Sequence, residues 1–125
     1  MLPPLIQNPP PWPNGARCAV CFSFDMDVES LLHLNHREAA PSRLATSSAL
    51  RYGPFVAIPR IIDIFRHYGI KQTVFVPGWC IEAYPRAIEA LVEAGHEIGH
   101  HGWLHERPNT LSPGDEARVL DRALE

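Results

Sequence analysis

Short apolar runs alternate along this chain with stretches of helical period, and that alternation limits the fold more than any other feature. Residues 17–24, ending in Cys18-Ala-Val-Cys-Phe-Ser-Phe24, have the length and content of a buried strand. Residues 54–68 carry Val56, Ile58, Ile61, Ile62, Ile64 and Phe65 at helical spacing, with Gly69 placed to stop the helix. Pro54 and Pro59 each suit a first helical turn, so the start stays open between them. A second strand is expected over 72–76, halted by Pro77-Gly78. A second helix is expected over 85–94, closed by Gly95, and a short third strand over 97–99. A last helix should begin near Pro113, capped by Ser112. Between the first strand and the first long helix, Leu31, Leu32 and Leu34 suit a short helix, and the polar stretch 41–48 reads as loop. Strands separated by helices mean an α/β fold with a parallel sheet, here three parallel βα units.

Size and charge narrow the class. With 125 residues, 46% of them hydrophobic and 20% charged, the chain can bury one core but not two. Six of the 13 prolines fall in the first 13 residues, so residues 1–15 read as a proline-rich arm and 16–125 as one domain. The final helical pattern is still running at Glu125, whereas a closed (β/α) barrel needs roughly 200–250 residues. The expectation is the front part of a larger domain. The 11 Lys and Arg are scattered and the net charge is −3, which offers nucleic acid no footprint. No apolar run approaches the ~20 residues of a membrane span. The first residues lack the basic stretch of a secretory signal, so a cytoplasmic location is expected. Cys18 and Cys21 form a CxxC inside the first apolar run, where they are expected to be small buried thiols.

Two clusters can carry chemistry. Asp25-Met26-Asp27 follows the first strand, and in extended chain alternate residues share a face. Two carboxylates aimed into one pocket favour a cation, although a lone pair of this kind is often only solvated acid. The segment 95–105, Gly-His-Glu-Ile-Gly-His-His-Gly-Trp-Leu-His, holds four of the seven histidines. It admits two metal readings besides an unliganded turn. His96-Glu97-Ile98-Gly99-His100 matches HExxH, the zinc metalloprotease pattern, which requires a helix. Gly95, Gly99 and Gly102 disfavour that helix. The other reading takes His101 and His105, on the turn after the third strand, together with one aspartate of the pair. Two imidazoles and a carboxylate leave positions open on Zn²⁺ or a similar ion.

The segments 24–27 (Phe-Asp-Met-Asp), 69–77 (Gly-Ile-Lys-Gln-Thr-Val-Phe-Val-Pro) and 93–105 resemble the first half of a polysaccharide deacetylase domain. The family embraces N-deacetylases of chitin and peptidoglycan and relatives that open cyclic imides or allantoin. The Asp-x-Asp spacing, with Glu29 and a long loop after it, is similar to the intracellular peptidoglycan-deacetylase-like and imidase-like branch. The resemblance implies the N-terminal part of a deformed (β/α) barrel of about seven strands. It also implies Asp25 as catalytic base, and Asp27, His101 and His105 as ligands of a divalent metal, Zn²⁺ first. A base-orienting arginine and a proton-donating histidine would lie in later segments. The expected function is metal-dependent hydrolysis of a non-peptide amide C–N bond in a carbohydrate or small-molecule substrate. A zinc-binding, non-catalytic family member is the alternative, and the HExxH protease a more distant one. Trp79, Trp103 and Tyr52 are candidate pocket walls, with core packing an equal role for the tryptophans. His33, His36 and His67 read as solvated. A homo-oligomer is compatible with these features.

Overall fold

The computed structural model describes residues 11–125. Its centre is a parallel sheet of three strands in chain order: β1 (Ser23–Asp25), β2 (Thr73–Val76) and β3 (Glu97–His100). Ser23 pairs with Thr73, and Thr73 with Glu97, so Asp25, Phe75 and Gly99 stand level across the sheet. Of the expected proline-rich arm, residues 1–10 lie outside the described residues, and Pro13–Gly15 forms one 3-10 turn with Asn14 and Gly15 at positive φ.

Among the described residues there are six helices: α1 (Ser30–Asn35), α2 (Leu44–Leu50), α3 (Ile58–Tyr68), α4 (Gly78–Ala83), α5 (Pro85–Glu93) and α6 (Pro113–Leu124). Helix α3 buries Ile58, Ile62 and Phe65, a spacing of one helical stripe, and ends at Gly69 in the left-handed conformation. Pro59 falls in its first turn, and Pro54 belongs to a preceding π-helical turn, Gly53–Ala57. Ser112 caps α6, its hydroxyl accepting from Asp115 N. One face of the sheet carries Val74 and Val76 into a core with Met26, Val28, Cys80, Ala87 and Leu91 under α3 and α5. The opposite face, with Ser23, Asp25, Glu97 and Phe75, has no described helix over it, and its residues are exposed or half-buried.

Three expectations are corrected. The first strand is Ser23–Asp25 and not 17–24, because its partner begins at Thr73, whose N–H reaches back only to Phe22 O. Cys18 and Cys21 precede that paired stretch and are therefore exposed, not buried. The stretch 41–48 is not loop: Ala40–Ser42 is a 3-10 turn and α2 follows. Helix α4 is additional to the helices expected. No helix of the described residues is long and apolar enough to cross a membrane.

Candidate metal centre

The end of β1, the end of β3 and the start of α4 meet at one edge of the sheet. Asp27 lies just past β1. Its main chain is held by Ser30 N, 2.9 Å from its carbonyl oxygen, and by the Cys80 thiol at 3.1 Å. Burial pushes the Cys80 thiol up to about 12, so it stays protonated there. Val28, the next residue, is in the left-handed region at φ 47°, which β-branched residues avoid.

The histidine turn leaves β3 through Gly102 at φ 73° and returns through His105 at φ 72°. Two devices hold it. Glu106 Oε2 accepts from the N–H groups of Trp103 and Leu104, each at 2.9 Å. Gly78 N and Trp79 N, orphan donors at the start of α4, bond the carbonyls of Gly102 and Trp103 at 2.9 and 3.0 Å. A left-handed, non-glycine residue such as His105 is retained only where its surroundings over-determine it.

These constraints bring Asp27, His101 and His105 together, all half-buried, with one donor atom of each within 4.8 Å of the others. The His101 and His105 rings lie 4.3 Å apart, centroid to centroid. Asp27 Oδ1 and His101 Nε2 are 3.5 Å apart. Both atoms are buried without a hydrogen bond among the described residues. Two donors ~2.1 Å from one tetrahedral ion would stand ~3.4 Å apart. The three residues therefore fit a divalent ion in donor type and separation, and Asp27 and His101 also in unmet bonding capacity.

The other sequence candidates are placed differently. Asp25 is exposed, the last residue of β1, on the open face of the sheet. Trp79 is half-buried and lines a cavity of about 380 Å³ with Glu29, Leu32 and Tyr84. Trp103 is buried, with the Arg122 guanidinium 3.7 Å from its ring centre, so it anchors α6. Tyr52 is exposed and accepts from Arg60 at 3.0 Å. His33 is not freely solvated: its ring packs 4.6 Å from that of Trp79.

The HExxH reading is overturned. Residues 97–100 are a strand, so His96 and His100 are separated by four extended residues, roughly 13 Å, and not by one helical turn. His96 is buried against Phe65 on the helix-covered side. Sequence reasoning assigned no role to Glu29 and Glu106. Their signal was only their position, two residues past Asp27 and one past His105.

The chain is similar to known proteins in sequence and in fold. The family model described as polysaccharide deacetylase matches residues 52–125. A peptidoglycan deacetylase of Helicobacter pylori is 39% identical over 70 residues, covering 56% of this chain and 24% of that protein. The crystal structure of a candidate polysaccharide deacetylase from Mycobacterium smegmatis aligns with a TM-score of 0.86 at 40% identity, covering 90% of this chain and 39% of that one. Puue allantoinase shares the fold, with a TM-score of 0.79 at 24% identity over 94% of this chain and 45% of its own. The chain thus spans between 24% and 45% of the length of these relatives.

Proposed function

The chain belongs to the polysaccharide deacetylase family, and on that premise we propose that residues 16–125 supply the metal-binding part of a hydrolase domain for non-peptide amide C–N bonds, foremost the N-acetyl group of an amino sugar. The observation that carries this reading is the convergence of Asp27, His101 and His105 around two buried donor atoms lacking hydrogen bonds. Asp27, His101 and His105 would hold a divalent ion, Zn²⁺ first by its taste for two imidazoles and a carboxylate. Such an ion, when bound, supplies an acidified water and a Lewis acid for the amide carbonyl.

The residues of the chain do the rest. The Glu106 clamp and the α4 N–H groups hold the main chain of the turn that carries both imidazoles. Asp25, two residues before Asp27, offers a carboxylate oxygen to take a proton from the attacking water. As a weak base it suits only a water that a bound ion would already have acidified. The water oxygen would bond to the carbonyl carbon, the C–N bond would break with its electron pair going to nitrogen, and a proton equivalent to the one Asp25 takes up would pass to that nitrogen, giving an acid and an amine.

The test combines elemental analysis with hydrolysis. The protein should retain about one Zn²⁺ per chain. Asp27→Asn and His105→Ala should lose it, and His96→Ala should keep it. Asp25→Asn should keep the metal and lose turnover by ~10²-fold or more. The assays are acetate release from N-acetylglucosamine oligomers and, in parallel, opening of cyclic imides. Metal retention in His105→Ala would refute the ligand set, and full turnover in Asp25→Asn would remove it as base. In a protein that also carries the base-orienting arginine and the proton-donating histidine, stoichiometric metal without turnover on either substrate class would favour a non-catalytic zinc-binding protein.

A further inference from the structure

Glu29 is buried, only 2% exposed, two residues from Asp27. A carboxylate in that position is costly unless its oxygens are satisfied. They are: Oε1 accepts from Ser47 Oγ at 2.8 Å and from Arg51 Nε at 2.9 Å, and Oε2 accepts from Tyr84 Oη. The three donors come from α2, from the residue after it, and from the junction of α4 with α5. Glu29 thus ties the turn after β1 to two separate parts of the fold.

That turn needs tying. Val28 sits at φ 47° between Asp27 and Glu29, and a β-branched residue released from its surroundings leaves the left-handed region. Asp27 is fixed on one side by β1, whose pairing extends to Met26 N on Phe75 O at 2.9 Å. On the other side stands the Glu29 clamp. With both ends held, Asp27 Oδ1 stands 3.5 Å from His101 Nε2. With the clamp undone, Val28 would be free to relax, and past β1 Asp27 would keep only its main-chain bonds to Ser30 and Cys80.

We propose that Glu29, with Ser47, Arg51 and Tyr84, is a positioning group for the metal centre, setting where Asp27 presents its carboxylate. This rests on the metal reading above and extends it to residues that touch neither metal nor substrate. The clamp also accounts for α2, whose short sequence lacks a buried apolar stripe but delivers Ser47 and Arg51 to one carboxylate.

The experiment measures the Zn²⁺ dissociation constant by competition with a chromophoric chelator, alongside the melting temperature of the metal-free protein. The full chain is compared with Glu29→Gln, with the double variant Ser47→Ala/Tyr84→Phe, and with Ile62→Val. The last is a core variant outside the clamp, which loosens the fold without removing any of the clamp's hydrogen bonds. Glu29→Gln is expected to weaken Zn²⁺ binding by ~10–100-fold, the range found for groups that orient metal ligands. The double variant should follow in the same direction, while Ile62→Val lowers the melting temperature and leaves the constant unchanged. If Glu29→Gln does not fold, the double variant is read by the same criterion. Wild-type affinity in the readable clamp variant overturns the proposal and leaves the metal site standing. So does a loss no greater than Ile62→Val shows at equal melting temperature. Absence of Zn²⁺ binding by the unaltered protein overturns both.

Discussion

His96 is a buried base whose two ring nitrogens lack hydrogen bonds among the described residues. Its burial, and then the positive charges of Lys71 and Arg66, hold its pKa below the ordinary histidine value. Folding therefore favours the neutral ring. Its contribution to stability is fully present above the unfolded value near ~6.5 and is lost as pH falls through the lowered folded value. Urea midpoints of the metal-free protein, compared between about pH 8 and about pH 5, should fall toward acid, and His96→Leu should flatten that fall. Parallel curves for the two proteins would show that His96 plays no part. Glu29 works in the opposite manner. Burial alone would raise its pKa, but Tyr84, Arg51 and Ser47 outweigh that and hold it below the usual carboxylate value. One buried titratable group is thus kept uncharged by its surroundings and the other charged.

At the scale of elements, one tight joint is where α4 meets the histidine turn and α6. A methyl group on Gly78 would come within 2.8 Å of the Trp103 ring and 2.9 Å of the Ala123 backbone. The backbone cannot turn aside as a side chain could. Gly78→Ala should therefore destabilise the protein by about 1–3 kcal/mol in chemical denaturation. It should also loosen the two hydrogen bonds that α4 gives the turn. An unchanged midpoint would mean that α6 moves freely. This joint also explains what the sequence could and could not reveal. Helices α3 and α5 were legible because their apolar stripes face the sheet, and the histidine turn because four imidazoles stand so close together. Helix α4 was hidden behind Pro77-Gly78, which reads as a stop, because its first N–H groups are satisfied by carbonyls 24 residues further on, at Gly102 and Trp103. Helix α2 was hidden because Glu29 organises it from 18 and 22 residues away, through Ser47 and Arg51. Cys18 and Cys21 misled because an apolar run becomes strand only where a neighbour pairs with it.

The whole molecule is a part of a (β/α) barrel fold, with helices packed on one side of the sheet and the candidate site at the strand ends. Its strands lie in chain order, but their pairings span unequal lengths of chain: Ser23 meets Thr73, 50 residues on, and Thr73 meets Glu97, 24 residues on. Doubling a loop adds only about 0.6 kcal/mol of closure entropy. The shorter pairing, however, also brings with it Val74, Val76 and Leu91, among the most fully buried apolar side chains, around α5. Folding of the metal-free chain should then begin with β2, α5 and β3, and β1 should dock afterwards. Pulse-labelled hydrogen exchange can follow this, since Glu97 N bonds Gln72 O in the early pair and Met26 N bonds Phe75 O in the late one. Protection of Met26 before Glu97 would reverse the order. On the expected order, the two histidines are in place while Asp27 is still on unfolded chain, and the three-residue cluster is completed only by the last strand to arrive.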